Sequence, residues 1–83
     1  MAKYTPLKLF LAGLPASQKE ITLTFSRIEE ILGDKLPKSA SLHRAWWSNE
    51  IDGQHVEAQS WLDAGWRVDS VDQTRNWIRF IRK

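Results

Sequence analysis

The densest run of side chains able to bind or stack lies at His43-Arg44-Ala45-Trp46-Trp47-Ser48-Asn49, with Gln54-His55 close behind. Amide and guanidinium groups can bond bidentately to base edges, and Trp or His can stack on an exposed base. The plainer reading is structural: Trp46 fills the core, Trp47 half-covers it, and Asn49 closes a turn. Two adjacent Trp cannot both face inward on a helix, so one of the pair is expected at a surface.

A second set is cationic. Lys35, Lys38, Arg44, Arg75, Arg79, Arg82 and Lys83 would collect phosphates if the segment around Arg44 and the last residues shared a face. The alternative is ordinary solvated charge, since the chain also carries ten acids and its net charge is only +2. The distribution of charge is nonetheless uneven. Residues 35–47 and 73–83 contain no acid, whereas Glu50, Asp52, Glu57, Asp63, Asp69 and Asp72 crowd the stretch between them against Arg67 alone.

Catalytic chemistry is harder to place. His43, Asn49 and His55 invite comparison with His-Asn-His nucleases, but those need a paired Asp-His or His-His at a ββα metal site, and this segment reads as helix, loop, helix. His55 with Asp52 or Glu57 is badly spaced for a metal, because a Glu two positions from a His on a helix points to another face. There is no glycine-rich phosphate loop, no nucleophile elbow and no Cys. Glu29 and Glu30 suit solvation and the dipole of an amphipathic helix rather than acid-base work. The expectation is a protein that is not an enzyme and has no metal and no cofactor.

The elements that must position these residues fit in one domain over residues 1–83, a length too short for a separate substrate domain. Five Trp supply most of the apolar payload of a core this small. The absence of Cys excludes disulfides and thiolate zinc and fits a reducing compartment. Met1 to Lys8 lacks an apolar core of signal-peptide length, and Leu9 to Leu14, the longest apolar stretch, cannot cross a bilayer. A cytoplasmic protein with no membrane partner is expected.

Tyr4 to Leu14 reads as a first helix, with Pro6 in its opening turn and Leu7, Phe10, Leu11 and Leu14 at helical spacing. Ile21-Thr22-Leu23-Thr24-Phe25 alternates like a half-buried strand. A second helix follows at once, capped by Thr24 or Ser26, with Ile28, Ile31 and Leu32 inward and Gly33 closing it. Ser39 is placed to cap a third helix running to about Trp47, with Ala40, Leu42, Ala45 and Trp46 on its apolar side. Ser48 to Gly53 breaks the pattern, and a fourth helix spans Gln54 to Ala64, buried through Ala58, Trp61 and Leu62. Trp66 to Val71 and Asn76 to Arg82 then form a hairpin across Asp72-Gln73-Thr74-Arg75. On the last strand, Ile78 and Phe80 are expected to face the core, leaving Arg79 beside Trp77 and Ile81.

This order predicts an α+β fold, with helices packed on a three-stranded antiparallel sheet that ends in a C-terminal β-hairpin. It matches the winged-helix order of helix, strand, helix, helix, strand, wing, strand with one helix to spare, the first strand pairing onto the hairpin. The runs Leu23 to Gly33, Leu36-Pro37-Lys38-Ser39-Ala40, Trp46-Trp47-Ser48-Asn49 and Ala64-Gly65-Trp66-Arg67-Val68 resemble a family of small bacterial domains of unknown function. That resemblance implies a bacterial module, stand-alone or appended, and carries no activity or site residues with it.

Two functions are therefore expected in competition. One is a DNA-binding module of winged-helix type, a small regulator or targeting domain, reading nucleic acid through Lys38, Ser41, His43, Arg44, Trp47, Asn49, Arg75 and Arg79. The other is a protein partner or homodimer held by exposed aromatic surface around Trp47 and Trp77. No small-molecule cofactor enters either.

Overall fold

The computed structural model describes residues 3–50 and 56–83. Asp52 and Gly53 of the breaking segment, and Gln54 and His55 at the start of the fourth predicted helix, lie outside the described residues.

The first helix, α1, spans Thr5–Ala12 and buries Leu7 and Leu11, with Pro6 in the first turn where its missing N–H is no loss. Strand β1, Glu20–Thr24, leads directly into α2, Phe25–Leu32. The junction is sharp because Thr24 serves both elements. Its backbone is still extended, while its Oγ1 accepts the Arg27 N–H at 3.0 Å and so satisfies a free donor of the first helical turn. Phe25, expected at the end of the strand, is thereby the first residue of the helix. Gly33 closes α2 at φ 71°, a left-handed position that a side chain would strain.

The third predicted helix is not continuous. α3 covers Lys38–Leu42 only, and a separate 3-10 turn covers Arg44–Trp47. Between them His43 is extended, at φ −121° and ψ 116°, and Pro37, rather than Ser39, precedes the first turn. The break rotates the following residues, so the two tryptophans exchange the expected roles. Trp47 is buried at 1% exposure, and Trp46 is half-buried against the edge of the core. The gain that offsets the broken helix is polar as well as apolar, since the Trp47 Nε1–H donates to the Ala40 carbonyl at 2.8 Å.

Helix α4, Val56–Asp63, buries Ala58 and Trp61. Strands β2, Trp66–Asp72, and β3, Trp77–Arg82, form the hairpin. Its turn lies one residue later than expected: Asp72 stays in β2, and Asn76 takes the positive φ of 62° that returns the chain into β3. Both β1 and β2 pair antiparallel with β3, giving the order β1-β3-β2. The register of β2 slips between Val68 and Ser70, a bulge at Asp69, whereas that of β1 is uninterrupted.

Alternation along β3 divides the sheet as the sequence suggests. Ile78 and Phe80 are fully buried with Leu23, Val68 and Trp66, while Trp77, Arg79 and Ile81 take the other face. Inside, a run of rings links the layers. Phe25 stacks on Trp47 at 5.2 Å, Trp47 on Trp61 at 5.8 Å, and Trp61 meets Phe80 at 5.6 Å. The chain is thus a small α+β domain of four helices and a three-stranded antiparallel sheet among the described residues, ending in a β-hairpin.

Candidate nucleic-acid interface

The hairpin turn is fastened to α3. Gln73 Nε2 donates to the Ala40 carbonyl at 2.8 Å, the same oxygen that accepts from Trp47. One buried acceptor therefore holds three separate segments together. Within the turn, Asp72 Oδ1 accepts the N–H groups of Thr74 and Arg75 at 3.0 and 2.8 Å, so that carboxylate shapes the loop on which Arg75 stands exposed.

Around this junction lies a patch of exposed residues: Lys38, Ser41, His43 and Arg44 from α3 and the 3-10 turn, and Arg75 from the hairpin turn. Leu42, 69% exposed, sits among them. A groove of about 380 Å³ runs between this helix, the start of α2 and the turn, touched by Ser26, Lys38, Ser41 and Asn76. The carboxylate on its wall, Glu29, accepts the Leu36 N–H at 2.9 Å and stands 4.0 Å from Lys35. Residues 35–49 contribute no acid of their own.

The remaining residues expected at a binding site are engaged elsewhere. Trp47 is inside the core. Asn49 is exposed as a residue, yet both ends of its amide turn toward the sheet: Nδ2 donates to the Val68 carbonyl at 3.0 Å, and Oδ1 accepts the Val68 N–H at 2.9 Å and the Trp61 indole N–H at 3.0 Å. The expectation that Asn49 closes a turn is replaced by a cross-chain role, because Val68 points its backbone away from β3 and needs a partner. Arg79 lies on the outer sheet face with one guanidinium nitrogen on Asp69 and another on Glu20. Those two hydrogen bonds hold it still more firmly protonated than an ordinary arginine. Arg82 likewise is part of the fold. It lies over the Trp66 ring at 4.4 Å and donates to the carbonyls of Gln18 and Pro15 at 2.9 and 2.8 Å.

The basic set is thus split in two. Lys38, Arg44 and Arg75 are exposed on the segments that the Gln73–Ala40 hydrogen bond joins, while Arg79 and Arg82 are bound to the protein itself. Arg79 could not be sorted from sequence because Glu20 lies 59 residues away and meets it only through strand pairing. Among the described residues, no group of three or more His, Asp or Glu converges as metal ligands, and no helix is long and apolar enough to cross a membrane.

At the N-cap of α1, Tyr4 packs edge-on to Trp46 of the 3-10 turn at 5.9 Å. Burial raises its phenol pKa above the ordinary 10.0, and the charges of Glu57 and Asp34 add to the rise.

Compared with known proteins, residues 4–83 match a family model described as a domain of unknown function (DUF7662). None of the curated proteins and none of the solved structures compared with the chain matches it.

Proposed function

We propose that this chain, which belongs to the DUF7662 family of domains of unknown function, is a nucleic-acid-binding module that presents α3 and the hairpin turn to a DNA backbone. The observation that carries the reading is the Gln73 to Ala40 hydrogen bond, which ties the turn bearing Arg75 to the helix bearing Lys38. That bond brings together two cationic stretches distant in sequence, and the carboxylates Asp72 and Glu29 beside them already accept backbone N–H groups. Lys38, Arg44 and Arg75 hold phosphates, while Ser41 and His43 lie between them as groups able to bond to a sugar or base edge.

The order of elements and the pairing of β1 onto the hairpin support a likeness to winged-helix domains, in which a short helix and a wing flank the same duplex. In this reading the protein is a bacterial, cytoplasmic DNA-binding regulator or targeting domain without a reaction of its own. A second reading, a protein-interaction surface, draws on Trp77 and Ile81, half-buried side chains on the outer sheet face.

Titrating duplex DNA at several salt concentrations tests the first reading. The logarithm of the affinity should fall linearly with the logarithm of salt, as phosphate contacts release counterions. Binding that is absent, or that ignores salt, rejects it.

A further inference from the structure

The two edges of the sheet are treated differently. On β2, the outward backbone groups of Val68 are taken by the Asn49 amide, and the bulge at Asp69 bends the strand beyond it. A side-chain amide here occupies the place of another strand's peptide group, and a bulge is a common device against edge-to-edge association. The β1 edge carries neither device. Its register with β3 is unbroken, it contains no Pro and no Lys, and Thr22, at its centre, is exposed.

The pairing fixes which groups face out. Arg82 N donates to the Lys19 carbonyl and Phe25 N to that of Asn76, so the odd-numbered residues 19, 21, 23 and 25 turn their backbone toward β3. Glu20 and Thr22 turn theirs to the open edge, while Thr24, at the N-cap of α2, gives its carbonyl to the first helical turn. Among the described residues nothing bonds the N–H or the carbonyl of Thr22, and the only side-chain cover on this edge is Gln18 Nε2 on the Glu20 carbonyl at 3.2 Å.

We propose that β1 pairs antiparallel with β1 of a second copy of this chain, centred on Thr22, to make a continuous six-stranded sheet. The sequence Glu20-Ile21-Thr22-Leu23-Thr24 is suited to itself in that register. Thr22 meets the other Thr22 and exchanges both backbone hydrogen bonds with it, Glu20 lies opposite Thr24, and Ile21 lies opposite Leu23 on the core side. No charge faces a like charge, and Glu20, the one charged residue of the strand, is already paired with Arg79. An unrelated strand would match only by chance, whereas a second copy has the matching pattern built in. The arrangement is isologous, so it closes at two copies. It is independent of the nucleic-acid reading and would place two such surfaces on one particle.

The test is sedimentation of the whole chain from micromolar to millimolar concentration without nucleic acid, together with hydrogen exchange at Thr22. The expected result is a monomer–dimer equilibrium in which the Thr22 amide exchanges more slowly as concentration rises. Thr22→Pro removes an N–H that β3 does not use, and should leave a folded monomer at concentrations where the unaltered chain is dimeric. Thr22→Lys puts two cations in contact across the pair and should do the same where the proline variant fails to fold. A chain that stays monomeric throughout, or a dimer that survives both changes, overturns the proposal. Neither outcome bears on DNA binding, which is read separately from its salt dependence.

Discussion

Asn49 and Val68 are joined at both ends of one amide, the side-chain oxygen accepting the Val68 N–H and the side-chain nitrogen donating to its carbonyl. The same oxygen receives the Trp61 indole N–H, so a residue after the 3-10 turn locks α4 to β2. Asn49→Ala should lower unfolding free energy by about 1–3 kcal/mol, the cost of leaving such groups without a partner. Urea denaturation measures the loss, and faster hydrogen exchange at Val68 would assign it to the freed strand edge. An unchanged midpoint would mean that water replaces the amide without cost.

The adjacent tryptophans separate by mutation. Trp47→Ala empties a fully buried position stacked between Phe25 and Trp61, and should cost about 3–5 kcal/mol. Trp46→Ala should cost roughly half as much, since that ring is only half-buried. Thermal or urea unfolding of the two variants checks the order. A larger loss at Trp46 would contradict the placement of both rings.

The arginines should divide into two classes. Arg44→Ala and Arg75→Ala should weaken DNA binding, each reducing the salt slope by about one, with stability within about 0.5 kcal/mol of the unaltered chain. Arg79→Ala and Arg82→Ala should leave the salt slope unchanged and lower stability instead. For Arg79 the loss is small, because both of its ion pairs are open to solvent. Paired salt titrations and denaturation curves on the four variants decide it.

Tyr4 predicts a pH effect of definite sign. The folded chain holds the phenol proton more tightly than the unfolded chain, so the stability this contributes is intact below pH 10.0 and is lost as pH rises beyond it. The readout is the difference between the chain and its Tyr4→Phe variant, which isolates the phenol. That variant should show a shallower fall in urea midpoint above pH 10.0.

What could be read in the sequence was what local chemistry decides. Thr24 and Gly33 bound α2 because a cap and a left-handed residue act within one turn, and Ile78 and Phe80 followed from strand alternation. The break at His43 did not, because its cause is distant: the Ala40 carbonyl accepts from Trp47 and also from Gln73, 33 residues away. Helical periodicity therefore chose the wrong tryptophan. The candidate binding residues divide in the same way. Lys38, Ser41, His43, Arg44 and Arg75 are each exposed, while Asn49 and Arg79 carry the right functional groups but are engaged by Val68, Trp61, Glu20 and Asp69 through contacts that only the folded sheet creates.

The order β1-β3-β2 has a consequence during synthesis. Neither β1 nor β2 pairs with the other, and the strand both require is made after every other element. While the chain emerges, Ile21, Leu23, Trp66 and Val68 have no ladder to join, and α1, α2 and α4 have no completed sheet to cover. Closure must wait for residues 77–82, which pair locally with β2 and with β1 across separations of about sixty residues. Until that moment the nascent chain depends on its helices, and on whatever shields its apolar side chains at the ribosome, to stay clear of its neighbours.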